Sequence, residues 1–447
     1  MPDNRLSFTD QLLFLGQQAT GQELAMQCVW VYERAIDIDG LRQIHADMGY
    51  GLFGRRIEPS PLPFGRHRWV SSLGPPSDLD VAEQARPRSE LGDWLDERAQ
   101  LPIDPAHGPA WHIGVLPMTD GSTAVSMVVS HCLADGLGAL LTGLEAVKRL
   151  RRDLGYPAPG ARTRLRVAAT DLRQTAQGAP EVARTLVAAA RLAYRRRREA
   201  TRQGQARRPA NSPTSPDHQV VAPAITIFVD LDIWDSRAND LGGTSNSLVA
   251  GFAAKLGERF GRRRASDGAV TLHIPINERT LDDTRANAAA IAQAIIDPSG
   301  VTTDLTDARA EIRNALSRLR ETPDEMLALL PLTPFIPKRA VKRGSEVLFG
   351  FDDLPVSCSN LGDLDPAVAR VDGSDAEYVI LRGIDRHVTR QYLESRGGLL
   401  TVVAGRLGGK ISMTVVAYQP GAENSKPRLR EIAAGVLAEF GLTGVIE

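Results

Sequence analysis

At 447 residues the chain exceeds what one hydrophobic core usually supports, so two domains of roughly 200 residues each are expected. Its hydrophobic and charged fractions, 43% and 24%, are those of an ordinary soluble globular protein. The 53 Lys and Arg balance 54 Asp and Glu, a net charge of −1 that argues against a general nucleic-acid binder.

The amino terminus has no positively charged region leading into an apolar core, so no signal peptide is expected. Nowhere do about 18 apolar residues run without a charge, which excludes a membrane-spanning helix. The three cysteines, Cys28, Cys132 and Cys358, are far apart and odd in number, as suits a reducing compartment. The protein is therefore read as cytoplasmic, at most peripheral to the inner face of the membrane.

In chain order, 6–16 predicts a short helix on a Ser or Thr cap, 26–32 a strand and 38–48 a helix. Proline-rich loops follow at 59–63 and 75–76, then charges at helical spacing over 90–100. Strands at 112–117 and 124–129 read as neighbours joined by a hairpin-like turn at 119–122. The second is an unbroken apolar run, as expected of a strand buried on both faces. It stops at Ser130 and His131, and Leu137, Leu140, Leu141, Leu144 and Val147 then recur at helical spacing to about 152. Between strand and helix lie His131, Asp135 and Gly136.

From 148 to 208 there are about four Arg or Lys for each Asp or Glu. This basic helical segment is either a solvated helix bridging two domains or a surface for a negatively charged partner. Lipid headgroups, an acidic carrier protein and the phosphates of coenzyme A all qualify, with 191–208 the densest part. Aromatic interleaving is absent, which speaks against nucleic acid. A linker is expected at 209–222.

The second half opens with an alternating strand over 225–233 and a helix over 244–260 bearing Leu248, Phe252, Leu256 and Phe260 on one face. Strands at 270–276 and 288–297, a helix at 305–319 and a strand from 355 into a polar turn come next. A hairpin of 399–404 with 411–418 and a closing helix at 427–440 complete the chain. Alternation of strands and helices gives an α/β (α+β) chain in two comparable domains, 1–208 and 223–447.

The chemistry at His131 is narrowed by elimination. One His and one Asp supply too few ligands for a metal, and no second cluster emerges among the eight histidines. No Gly-x-Ser-x-Gly elbow is present for a serine hydrolase. Cys132 as a thiol nucleophile is disfavoured, because neighbours on an extended segment point to opposite sides. Two readings stay open: a general base taking a proton from a hydroxyl or amine, and a buried structural histidine. Asp135 is read with His131 as catalytic or as a structural partner of an Arg.

Ser130 to Gly136 resembles the HHxxxDG motif of the superfamily joining chloramphenicol acetyltransferases, peptide-synthetase condensation domains, plant BAHD acyltransferases and polyketide-associated acyltransferases. The chain is most similar to the bacterial wax ester synthase/diacylglycerol acyltransferase branch. Residues 102–111 resemble its PLD…PLW approach, Thr244 to Ser247 its helix start, Ile274 to Arg279 its PV-x-x-R strand end, and Ser359 to Gly362 its TNVPG turn. Ser130 stands where the family has its first His, Ser247 where Asp usually follows Asn, and Asp363 interrupts the last turn.

The resemblance implies two chloramphenicol-acetyltransferase-like domains in a pseudo-dimer with a central tunnel. It implies acyl transfer from a coenzyme A or carrier-protein thioester to a hydroxyl, with His131 as general base and no acyl-enzyme. Gly136 and Arg279 would support the motif, Arg279 by pairing with Asp135. Asn360, Ser359, Asn246 and Asn287 would line the tunnel; turn and helix-cap roles compete for Asn360 and Asn246. No cofactor or metal is implied, only an acyl-CoA or phosphopantetheinyl donor. Partners would be the acceptor alcohol, an acyl carrier protein in trans, and lipid at 191–208. Condensation-like amide formation and a degenerate acyl-binding member are the alternatives.

Overall fold

The computed structural model describes residues 3–203, 218–280, 282–321, 327–337 and 354–447. Residues 204–208 of the expected basic segment and 209–217 of the expected linker lie outside the described residues.

Helix α1 (Phe8–Thr20) starts where Ser7 accepts the backbone N–H of Asp10 and ends at Gly21, whose φ of 73° suits a residue without Cβ. Strand β1 (Glu23–Tyr32) and helix α2 (Ile38–Met48), capped by Asp37, follow. A two-stranded ribbon, β2 (Arg55–Glu58) and β3 (Arg68–Ser71), precedes β4 (Asp80–Val81) and α3 (Leu91–Gln100). Strands β5 (Trp111–Pro117) and β6 (Thr123–Ser130) form the expected antiparallel hairpin. Every position of β6 is buried, so its apolar run is inside on both faces. Helix α4 (Gly136–Val147) stops short of the expected end near 152. There Arg149 turns left-handed, φ 58°, and Arg149 and Arg151 both reach buried Asp47. The basic segment becomes helix α5 (Arg164–Gln203), which runs through Pro180 and packs one face on residues 327–335.

In the second half, β7 (Ala224–Asp230) is shorter than the strand expected over 225–233. Helix α6 (Leu231–Asp240) takes over, burying Trp234 and Ala238, four residues apart on one helical face. Next come α7 (Ser245–Arg259), β8 (Val270–Asn277), β9 (Ala289–Ile296), α8 (Thr306–Glu321) and β10 (Val356–Asp363). The chain ends with β11 (Tyr378–Arg386), α9 (Arg390–Ser395), β12 (Leu399–Leu407), β13 (Lys410–Tyr418), α10 (Lys426–Glu439) and β14 (Val445–Ile446). The β12–β13 hairpin turns on Gly408 and Gly409, both at positive φ, so its loop is tighter than the six residues expected.

Among the described residues these strands make two main sheets. The first is ordered β11-β1-β6-β5-β4, the second β14-β7-β13-β12-β10-β8-β9. β11, from beyond residue 223, pairs antiparallel with β1 and so completes the sheet of the other half. The sheets therefore do not divide the chain at 209–222 alone. Val379, Ile380, Leu381 and Ile384 explain the crossing, for all four are buried in the first sheet's packing.

Two large cores result. One packs β1, β5, β6 and α4; the other packs the second sheet around α7, ten of whose fifteen residues are buried. A smaller cluster joins them, with Phe228 of β7 against Val29, Trp94 and Ile380. Ion pairs bridge the same seam, Arg88 to Glu447 at 2.8 Å and Lys426 to Asp93 at 2.7 Å. No helix among the described residues is long and apolar enough to cross a membrane.

Candidate active site

The buried hairpin delivers Ser130 and His131 to the end of β6. Ser130 is 1% exposed, and its hydroxyl accepts the N–H of Cys132 at 3.3 Å, closing the turn locally. His131 is half-buried and held by its backbone. Its N–H donates to Leu24 O at 2.9 Å, and its carbonyl accepts from Asn287 Nδ2 at 3.1 Å. Its Nδ1 is enclosed, with no hydrogen-bond partner among the described residues.

Asp135 is the N-cap of α4, and both its oxygens are taken. Oδ1 accepts the N–H of Gly138 at 2.7 Å. Oδ2 accepts from Arg279 Nη2 at 2.9 Å and from the N–H of Ala288 at 2.8 Å. The carboxylate is thus an anchor, occupied away from the imidazole. Both terminal nitrogens of Arg279 are engaged: Nη1 donates to Asp283 O and Arg285 O at 3.2 and 2.9 Å, and Nη2 also reaches Ala286 O at 3.0 Å. The loop 283–288 from the second half is thereby tied to the corner of the first.

A second buried carboxylate grips the same loop. Asp10 of α1 is fully buried and accepts the N–H of Ala286 at 3.1 Å, the N–H of Asn287 at 2.9 Å and Asn287 Nδ2 at 3.0 Å. Three successive amides, Ala286 to Ala288, therefore point at two carboxylates. The Ala286 carbonyl answers by accepting from Asp135 N at 2.8 Å. Buried Arg55 braces the other side of the turn, donating to Leu133 O at 3.0 Å and to Thr284 O, with its guanidinium 3.8 Å from the Trp69 ring. Burial pulls the Arg55 guanidinium down to about 10.

The remaining candidates fall into two groups. Asn287 is at the corner, but its side-chain amide is committed to Asp10 and the His131 carbonyl. Asn360 and Asn246 meet each other instead, Asn360 Nδ2 donating to Asn246 Oδ1 at 2.8 Å, while Asn360 Oδ1 accepts from Gly362 N at 3.0 Å. The cap of α7 is Thr244, in a capping box with Ser247, so Asn246 is free of that duty and Ser247 has a structural one. Ser359 is half-buried beside Asn360 on β10. Their strand approaches the motif through Leu361, which lies 3.7 Å from where a Cβ on Gly136 would stand. Two residues on, a Cβ on Gly138 would sit 3.0 Å from Asp135 Oδ1, 3.0 Å from Leu52 and 3.2 Å from Arg279 Nη2.

Cys132 is buried in the first core, and desolvation pushes its thiol up to about 12, so it holds no reactive thiolate near neutral pH. Among the described residues no group of His, Cys, Asp or Glu is placed to hold a metal. A 600 Å³ cavity lies against α10, lined by Phe260, Gln419 and Arg428, and touches none of the candidate residues. Sequence reasoning missed Asp10 and Arg55. Asp10 carried a signal in being the only acid among the apolar residues of the first helix; Arg55 carried none.

Residues 50–246, which include the whole His131–Gly136 corner, match the family described as the wax ester synthase/diacylglycerol acyltransferase catalytic domain. No functionally curated protein matches the sequence. Among solved structures the chain is similar to the first condensation domain of the CDA synthetase, at 12% identity over 99% of both chains with a TM-score of 0.58. It is similar to the wax ester synthase/diacylglycerol acyltransferase from Marinobacter aquaeolei VT8, at 15% identity over 98% of both chains and a TM-score of 0.55. It is also similar to polyketide synthase associated protein 5 from Mycobacterium tuberculosis, at 14% identity over 98% of both chains and a TM-score of 0.54. At these identities the structures speak for the fold, two chloramphenicol-acetyltransferase-like domains spanning the chain. The family match adds that residues 50–246 are similar to an acyltransferase catalytic domain.

Proposed function

We propose that the protein transfers an acyl group from a coenzyme A or carrier-protein thioester to an acceptor hydroxyl, with His131 as general base. The observation that carries the reading is the division of labour at the corner. Asp135 is consumed by Arg279, Ala288 and Gly138, while the half-buried imidazole has only its backbone tied down.

The neutral imidazole takes the hydroxyl proton as the oxygen attacks the thioester carbonyl. The C–O bond forms, the tetrahedral oxyanion collapses, and the C–S bond breaks. The imidazolium returns its proton to the leaving thiolate, so His131 ends as it began. No acyl-enzyme and no permanent cofactor is involved. The backbone of the base is held by Leu24 O and Asn287, and the buried carboxylate of Asp385 interacts electrostatically with His131. Ser359, Asn360 and Asn246 border the substrate path from the second domain, at the end of β10 that reaches Gly136 through Leu361. A long-chain or polyketide-derived donor is the class favoured, in keeping with the family matched over 50–246.

The test is thiol release from a panel of acyl-CoAs with alcohol and amine acceptors, wild type against His131→Ala, with product mass recorded. Release should fall at least about 100-fold with melting unchanged. Equal release in both proteins would sink the general-base role. Amide products alone would move the enzyme to condensation-like chemistry, and no turnover with bound acyl chain would mark an acyl-binding protein.

A further inference from the structure

The basic helix α5 has two faces, and only one is used by the fold. Val167, Asp171 and Thr185 are buried, Asp171 by Arg68 and by Ser60 Oγ at 2.6 Å. The opposite face is apolar and turned to solvent. Leu165 is 84% exposed, Leu172 59%, Leu186 55% and Val187 51%. Between them the sequence places alanines at 169, 176, 179 and 183, in steps of three and four, so the stripe is continuous. From Leu165 to Val187 it runs roughly 33 Å at 1.5 Å per residue. Four exposed leucines and valines on one helix are not the scattered apolar residues of an ordinary surface.

The charges beside the stripe have one sign. Arg166, Arg173, Arg184 and Arg191 fall about 80–100° from its centre, one above another along one flank, at 100° per residue. Over 164–191 the acids are Asp171, which is buried, and Glu181, which lies on the far side of the arginine row. A second copy of α5 would set arginine against arginine with little to offset it, and Pro180 interrupts the seam that a coiled coil needs. A flat, anionic, apolar-backed surface satisfies both features at once. Apolar side chains enter the acyl boundary while the arginine flank meets phosphates.

We infer that the exposed face of α5, Leu165 to Val187 with its arginine flank, docks the protein on an anionic lipid bilayer. The inference is independent of the acyl-transfer reading. It places a lipid contact upstream of 191–208, on a stretch where apolar and basic groups occur together.

Vesicle co-sedimentation of the full chain tests it. Wild type should pellet with phosphatidylcholine vesicles containing about 30% phosphatidylglycerol, and stay in solution with phosphatidylcholine alone. The pairs Leu172→Glu with Leu186→Glu, and Arg173→Glu with Arg184→Glu, should each lower binding at least about tenfold. All four side chains are exposed, so melting and thiol release from a short, water-soluble acyl-CoA should not change. Variants that pellet like wild type, or a wild type that ignores anionic vesicles, overturn the proposal. A wild-type dimer that both pairs dissolve, without vesicle binding, overturns it in favour of self-association; capture of an acidic carrier protein in its place does the same.

Discussion

Asp10 and Asn287 are 277 residues apart, yet the carboxylate of Asp10 accepts the Asn287 backbone N–H at 2.9 Å and its side-chain N–H at 3.0 Å. Asn287 passes the constraint on by donating to the carbonyl of His131. Asp10→Asn would aim an N–H at a site holding three donors, leaving buried groups unpaired. Stability should fall by about 3 kcal/mol, read by urea denaturation. Under conditions where the variant is folded, the proposed mechanism expects thiol release to fall in kcat more than in KM, since Asp10 would place His131 and not bind substrate. Unchanged stability and unchanged kcat together would show that the clip is idle.

Arg279 makes four hydrogen bonds from two nitrogens, to Asp135 and to the carbonyls of Asp283, Arg285 and Ala286. An ammonium keeps the charge but cannot span that fork. Arg279→Lys should therefore destabilise by about 3 kcal/mol, even though Asp135 retains a cation nearby. A melting temperature equal to wild type would mean that charge alone holds the corner.

The two glycines of the turn should answer differently to alanine. At Gly138 the added methyl meets Asp135 and Leu52 at 3.0 Å, and the expected cost is about 1–3 kcal/mol. At Gly136 its nearest neighbours are Leu361 at 3.7 Å and Met26 at 3.8 Å, ordinary contact, so stability should change by less than about 1 kcal/mol. Thermal melts of the two variants decide it, and the reverse ranking would refute the geometry.

Acid should weaken the first sheet through His112. Burial first, then Arg98 and Arg386, pull its imidazole down to about 4 from the usual 6.5. The unfolded chain then binds the proton that the folded one refuses. The stabilisation is thus fully present above pH 6.5 and drains away as pH falls toward 4, about 3 kcal/mol in all. Burial shifts His45 and His273 the same way, adding to the slope. The melting temperature should drop steadily over that window, and His112→Gln should flatten the drop. An identical pH profile for the variant would remove His112 from the account.

Much of this was legible because it is local. Ala124 to Val129, the change of periodicity at His131 and the alternation over 270–276 are short-range patterns, and the strand and helix they foretell are present. Asp135 and Arg279 are brought together across 144 residues, a pairing that only family resemblance suggested. What stayed hidden is non-local. Alternation over 225–233 disguised the start of the helix that buries Trp234, because Leu231 and Ile233 continue the strand's period of two although both belong to the helix and Ile233 is exposed. Arg55 looked like one basic residue of a pair, and nothing in its neighbours announces a buried guanidinium on Trp69. No strand was foreseen at Tyr378–Arg386, whose partner β1 lies some 350 residues upstream.

That late strand has a bearing on biosynthesis. β1 and β6 are complete once residue 130 has been translated, but the hydrogen-bonding edge of β1 waits for Tyr378–Arg386. At roughly 5–20 residues per second the ribosome takes tens of seconds to supply it. Through that interval Val29 and Val31 sit on an unsealed edge, a template for pairing with other nascent chains. Overexpression at low temperature, or with chaperones that hold such edges, should raise the soluble yield more than any change to the corner at His131.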